Sequence, residues 1–310
     1  MRRAQEGRPV HERAQGGEGK KRDRSWPPAP EPLPFPVIDN HCHLDFADGD
    51  EVRSIDEHIA LAREAGIDAM ITIGSDRAAA HWTAELLRHD DRLRGGVAVH
   101  PNEAALHARG TGHDGAPMIP LDEALAETAE LLRGPGMVVV GETGLDWFRT
   151  SRKDERARRA QIDSFRAHIA MAKELGLPMQ IHDRDAHQDV LDVLDADGAP
   201  ERTVFHCFSG DAEFARACLD RGFYLSFAGN ITFKNADDLR GAIAEAGLGR
   251  IMVETDAPFL TPVPYRGRPN SSYLIPLTMA QIAESAGTSL EEACRAVRAT
   301  TLDVYGWPAA

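Results

Sequence analysis

One rhythm constrains this chain more than any other feature. Eight short apolar runs recur, at residues 37–44, 69–74, 95–100, 137–142, 178–182, 203–208, 223–227 and 250–254, and amphipathic stretches fill most intervals. Residues 54–65 place Ile55, Ile59 and Ala62 at helical spacing, and residues 159–175 do the same with Ile162, Phe165, Ile169 and Ala172. Gly66, Gly176 and Gly222 stand where a helix stops ahead of the next run. Strands that alternate with helices lie parallel, and eight of them predict an α/β fold closed into a (β/α)8 TIM barrel over residues 37–310. A helical region over 272–304 is expected to cover one side. Residues 106–120, with three glycines and two prolines, break the rhythm and read as a loop inserted after the third strand.

Residues 1–36 have a different character. The stretch to Ser25 is rich in Arg, Glu, Gly and Gln, and six prolines fall within residues 27–36. Such a segment predicts a disordered extension with a polyproline-like linker. It lacks an apolar face to dock, so removing residues 1–34 should leave stability and catalysis nearly unchanged. The chain shows no run of 18 apolar residues and no leader pattern, so a soluble cytoplasmic protein without a membrane partner is expected. The formal net charge of −14 argues against a protein that coats nucleic acid. It leaves room for an enzyme that holds one strand end through metals and a few arginines. Cys42, Cys207, Cys218 and Cys294 form no C-x-x-C pair, which fits free thiols rather than a zinc ribbon. Oligomeric state has no signature in the sequence.

The chemistry gathers at the ends of the apolar runs. Asp39-Asn40-His41-Cys42-His43 puts two imidazoles two residues apart, on the same face of a strand, as a bidentate metal clamp. The fourth run ends in Gly141-Glu142-Thr143-Gly144-Leu145-Asp146, and a carboxylate in that place is costly to bury without a cation or donor. His182 ends the fifth run, His206 lies in the sixth, and Asp256 follows the eighth. In barrels that end of the strands is where catalytic groups collect. Four histidines and two carboxylates can hold two divalent ions, with Glu142 between them. Ions about 3.5–4 Å apart can clamp the attacking and leaving oxygens of a phosphoester displacement by activated water. Neither G-x-x-x-x-G-K-[ST] nor G-x-G-x-x-G occurs, so no nucleotide cofactor is expected.

These stretches together resemble the TatD family of metal-dependent deoxyribonucleases, in the amidohydrolase superfamily. The matching segments are D-x-H-x-H-L-D from Asp39, V-H-P ending at Pro101, G-E-x-G-L-D from Gly141, I-H-x-R from Ile181, H-C-F-S-G from His206, E-T-D-A-P from Glu254 and P-Y-R-G-R-P-N ending at Asn270. They run in the family's order across roughly residues 37–305. The resemblance implies His41, His43, Glu142 and Asp256 at one metal and Glu142, His182 and His206 at the other. It implies magnesium or manganese, with zinc as the alternative, and 3′–5′ exonuclease activity. Asp256 matches the family's proton acceptor, and His100 matches a position near the site. After Asn270 the chain departs from the family pattern, with Ser271-Ser272 in place of an acidic or small residue and proline.

Single-stranded DNA, or a DNA 3′ end, is the expected substrate. Arg149, Arg152, Lys153, Arg184, Arg266 and Arg268 fall on or after strand ends, where they can receive phosphates. Asn270 and His100 join Arg149, Arg184 and Arg266 as the expected substrate-binding set, and Trp147 and Phe148 are candidates to stack on a base. The competing reading is an amide or ester hydrolase, such as an aminoacyl-tRNA deacylase or a small-molecule amidohydrolase, because the same metals polarise a carbonyl equally well.

Overall fold

The computed structural model describes residues 8–14, 22–151 and 153–306. Eight parallel strands form the barrel: β1 Val37–Cys42, β2 Ile67–Gly74, β3 Arg94–Val97, β4 Met137–Asp146, β5 Met179–Arg184, β6 Thr203–Phe205, β7 Tyr224–Phe227 and β8 Ile251–Val253. Each pairs with its sequence neighbours from β1 round to β8, and the order is that of a (β/α)8 barrel. The helices are α1 Ile55–Glu64, α2 Arg77–His89, α3 Pro101–Arg109, α4 Leu121–Leu131, α5 Glu155–Leu175, α6 His187–Asp197, α7 Ala212–Leu219, α8 Asp237–Ala246, α9 Ile275–Ala286 and α10 Leu290–Tyr305. Helix α1 starts at a capping box: the Ser54 side chain accepts from Glu57 N–H, while the Glu57 carboxylate accepts from Ser54 N–H. No helix among the described residues is long and apolar enough to cross a membrane.

The large core lies between the strands and the helices. A separate cluster joins Ile71 and Ile73 of β2, Val139 of β4, Val204 of β6 and Met252 of β8, closed off by Val304 and Tyr305 of α10. All five strand residues come from even-numbered strands, the alternation by which layers inside an eight-stranded barrel are filled.

Three local expectations change. The fourth strand runs on to Asp146 instead of stopping at Glu142, pairing Thr143 with Ile181 and Gly144 with His182. A Cβ at Gly144, whose φ is +144°, would collide with the His182 carbonyl, so only glycine lets the ladder continue. The third strand ends at Val97, and His100 caps α3, its Nδ1 accepting from Asn102 N–H at 3.0 Å. Residues 106–109 therefore finish a helix, and the irregular stretch is shorter than expected.

The seam between β1 and β8 differs from every other junction. Among the described residues these two strands share one isolated bridge, Cys42 to Ala257, instead of a ladder. Backbone bonds there run from Asp256 N–H to His41 O (3.0 Å) and from His43 N–H to Ala257 O (2.7 Å). Deeper in, side chains cross the gap. Asp39 accepts from Thr255 N–H (3.0 Å), Thr255 Oγ1 (2.6 Å) and Ser272 Oγ (2.7 Å), and Asn40 Nδ2 donates to Val253 O (2.7 Å). Ser272, where the sequence leaves the family pattern, thus serves the seam.

The described part of the N-terminal stretch corrects the expectation of a free linker. His11–Glu12 pairs in parallel with Phe46–Ala47. Leu33 is buried and donates its N–H to Ala65 O, and Pro27 O accepts from the Tyr273 hydroxyl at 2.6 Å. Trp26 donates to Glu51 O and carries the Arg53 guanidinium on its ring. The stretch docks through backbone groups, single polar side chains and scattered apolar ones, with Leu33 in the core and Val10, Trp26 and Phe35 packed against it. Residues 1–7 and 15–21 of that stretch lie outside the described residues.

Candidate metal centre

Six side chains meet at the C-terminal ends of the strands. His41 belongs to β1 and His43 follows it, Glu142 belongs to β4, His182 to β5, and His206 and Asp256 follow β6 and β8. In β1 the alternation of side chains sends His41 and His43 to the inner face, while Cys42 turns away and donates to Ile71 O. Glu142 is the hub. Its Oε1 lies 3.6 Å from His43 Nε2 and 4.0 Å from His41 Nε2; its Oε2 lies 2.8 Å from His206 Nε2 and 3.1 Å from His182 Nδ1. Asp256 Oδ1 stands 3.3 Å from His43 Nε2 and 3.8 Å from His41 Nε2. The ligand atoms form three overlapping groups with metal-ion spacing: His41–His43–Asp256, His41–Glu142–His206 and His100–Glu142–His182.

Each ring has one nitrogen committed elsewhere, which decides what the other can do. His41 Nδ1 faces Gln180 Oε1 (2.8 Å) and His43 Nδ1 faces Ile73 O (2.9 Å). His206 Nδ1 faces Glu254 Oε1 (3.3 Å), and His182 Nε2 faces Asp146 Oδ2 (3.3 Å). All four partners are acceptors, so each ring donates there and turns its second nitrogen toward Glu142 or Asp256, as a donor when the ring is protonated and as a ligand lone pair when it is neutral. His41 Nε2 and His43 Nε2 stand 3.2 Å apart, a contact that a proton on His43 or a cation shared by the two rings satisfies. His100 is the opposite case. Its Nδ1 accepts from Asn102 N–H, so the neutral ring carries its proton on Nε2, which points at Glu142 and His182 as a donor.

Burial pulls His43 down, but Asp256 and Glu142 outweigh it and lift the imidazole to about 9. Burial likewise opposes protonation of His206, and Glu142 and Glu254 override it to hold the ring well above its ordinary value. Burial presses Glu142 upward, yet His206, His100 and His182 keep it well below the usual carboxylate range. Desolvation takes His100 down to about 3, against the pull of Glu142. The centre is an anionic hub ringed by imidazoles, and their protons stand where a bound cation would replace them.

A cleft of about 690 Å³ opens above the cluster, lined by His43, His100, Glu142, His182, His206 and Asp256 together with Arg149 and Arg184. Phe148 is exposed and outside the lining itself, next to it through the cleft-lining Arg184, whose guanidinium lies over its ring at 3.9 Å. Other expected substrate residues are not at the cleft. Asn270 is buried, and its Nδ2 is spent on the Thr255 (3.1 Å) and Phe259 (2.5 Å) carbonyls. Arg266 lies over Phe233, and Arg268 binds Ser25 and Trp26 of the N-terminal stretch. Trp147 is fixed by Asp189 at 2.6 Å and covered by Arg158. Lys153 is exposed outside the cleft lining, and Arg152 lies outside the described residues. The sequence reading missed Gln180, Asp146 and Glu254 as the groups that orient the histidines. A lone glutamine inside the apolar fifth run was the available signal.

The sequence matches the family described as TatD related DNase over residues 38–306. It is 38% identical over 274 residues to a metal-dependent hydrolase named TatD from Mycobacterium tuberculosis, covering 87% of this chain and 98% of that protein. It is 30% identical over 245 residues to the 3′-5′ ssDNA/RNA exonuclease TatD of Erwinia tasmaniensis, covering 76% of this chain and 88% of the relative. Among solved structures, YJJV, a TatD homologue of Escherichia coli K12, superposes with a TM-score of 0.75 at 25% identity, covering 88% of this chain and 98% of the other.

Proposed function

We propose that this chain, which belongs to the TatD-related DNase family and is a metal-dependent hydrolase, removes nucleotides from the 3′ ends of single-stranded DNA. The observation that carries the reading is the set of four imidazole nitrogens, on His41, His43, His182 and His206, that second bonds orient around the two oxygens of Glu142. They divide into two halves. His41, His43, Asp256 and Glu142 would hold one ion, and Glu142, His182 and His206 the other. Divalent ions bound there, magnesium or manganese, would neutralise charge on a phosphodiester and acidify a water nucleophile.

The chain's own residues supply the rest. Asp256 accepts the proton released by the attacking water and returns it to the leaving oxygen. His100 donates its Nε2–H to a phosphoryl oxygen. Arg149 and Arg184 pair with phosphates along the cleft, and the exposed Phe148, beside Arg184, stacks on the terminal base through the face that Arg184 leaves uncovered. An exposed aromatic beside two arginines favours a nucleotide chain over an amide or ester substrate.

The test is digestion of 3′- and 5′-labelled single strands with Mn²⁺ or Mg²⁺, run beside an aminoacyl-ester panel. Stepwise loss from the 3′ end is expected, with Glu142→Gln reduced to background while its melting curve stays within a few degrees of wild type. Ester hydrolysis without DNA cleavage would overturn the nuclease reading, and an active Glu142→Gln would overturn the two-ion site.

A further inference from the structure

The His41–His43–Asp256 half of the cluster straddles the seam where the barrel lacks a ladder. Asp256 itself has φ +52°, a left-handed conformation that a non-glycine residue keeps only when its surroundings fix it. The turn it opens is closed by Phe259 N–H to Asp256 O at 2.8 Å. Asn270 grips that turn from one side, through the Thr255 and Phe259 carbonyls.

Arg13 grips it from the other. Its Nη1 donates to the Pro258 carbonyl, to Arg268 O (3.4 Å) and to Asp48 Oδ2 (3.2 Å), and its guanidinium lies over Phe259 at 5.3 Å. The backbone beneath is anchored across the seam: Val10 and His11 N–H donate to Asp45 O, and Arg13 N–H donates to Ala47 O. Asp48 is tied again by Arg22. One side chain therefore joins the loop that leaves β1, at Asp48 five residues past His43, to the turn that carries Asp256. This stretch precedes the region matched to the family.

We propose that Arg13 is a positioning residue for the metal centre, holding the Asp256 turn against His41 and His43 across the open seam. The proposal rests on the cation reading of the site. All three acceptors converge on a single nitrogen, so a lysine ammonium can replace the guanidinium in part, whereas a methionine of similar length cannot.

The experiment compares full-length Arg13→Met, Arg13→Lys and wild type in two measurements. The first is amide exchange in metal-free protein. In Arg13→Met the Asp256 and His43 amides, which cross the seam, should exchange about tenfold faster, while His206 N–H, bonded to Ile181 O on the far side, keeps its wild-type rate. The second is Mn²⁺ binding by calorimetry. The Arg13→Met protein should lose about tenfold in affinity at one of two sites, the lower end of what outer contacts to a metal centre contribute, and Arg13→Lys should recover most of it. Unchanged exchange at Asp256 and His43, or acceleration equal on both sides of the barrel, overturns the proposal. The exchange measurement needs no metal, so it decides the positioning role even if wild type binds no Mn²⁺, an outcome that would instead defeat the two-ion reading.

Discussion

The two halves of the cluster are built by different means. Glu142 and His182 sit on the directly paired strands β4 and β5: the ladder runs in register from Thr143–Ile181 to Asp146–Arg184, and Glu142 stands in the register shift between Val140 and Thr143 that opens it, so two adjacent strands set their spacing. His41, His43 and Asp256 face one another across a seam with a single bridge, and buried side chains plus an N-terminal strap do the work of the missing ladder. A ladder is a local product of two strand sequences. A stitched seam depends on residues far apart in the chain, and that half of the site should be the more adjustable one.

The largest effect that can break this comparison lies in the ladder. Gly144→Ala forces a Cβ into the His182 carbonyl at a φ only glycine favours, and should cost about 4 kcal/mol or more or prevent accumulation of folded protein. Urea unfolding of the variant measures it; a loss under about 1 kcal/mol would mean the ladder half is as yielding as the seam. Next comes Asp256→Asn, which keeps size and one ligating oxygen but removes the base. Turnover should fall by about 10²–10⁴-fold, with Mn²⁺ content and melting temperature nearly kept. Wild-type turnover with both ions bound would move the proton role to another residue.

Deleting residues 1–34 tests the strap as a whole. It removes buried Leu33, the Trp26 contacts and the Arg13 bridge. A loss of about 3 kcal/mol is expected from the apolar area and bonds involved, lowering the melting temperature by roughly 6–12 °C. An unchanged melting curve would show that the strap contributes nothing. The smallest effect belongs to His11. Its hydrogen bond to Asp76, opposed by burial, raises the imidazole above 6.5. A raised folded pKa gives stability that is complete below about 6.5 and disappears as pH climbs through the raised value. The difference in melting temperature between wild type and His11→Gln should therefore be greatest near pH 6 and vanish at alkaline pH. A difference that grows with pH would reverse the assignment.

The sequence made the barrel and the six cluster residues visible for one reason: each polar ligand type ends an apolar run, and burying it there needs an explanation. It hid what works at a distance. Asn270 looked like a substrate contact, but its partners are the Thr255 and Phe259 carbonyls. Arg268 looked like a phosphate ligand, yet its partners, Ser25 and Trp26, lie more than 240 residues away. The fourth strand was cut short at Glu142 because two glycines interrupt its apolar pattern, although Gly144 is what lets that strand continue. The strap had no signature at all, since each of its contacts takes its meaning from the surface it meets.

The seam also sets the molecule's polarity for anyone who modifies it. Sequence ahead of Val37 passes beside Asp45, Asp48 and Pro258 at the mouth. Helix α10 ends at the other pole, where Val304 O accepts from Arg202, just before β6 begins. A label on residues 10–13 is therefore an intervention in the active-site wall, while the same label at the end of α10 stands at the opposite pole.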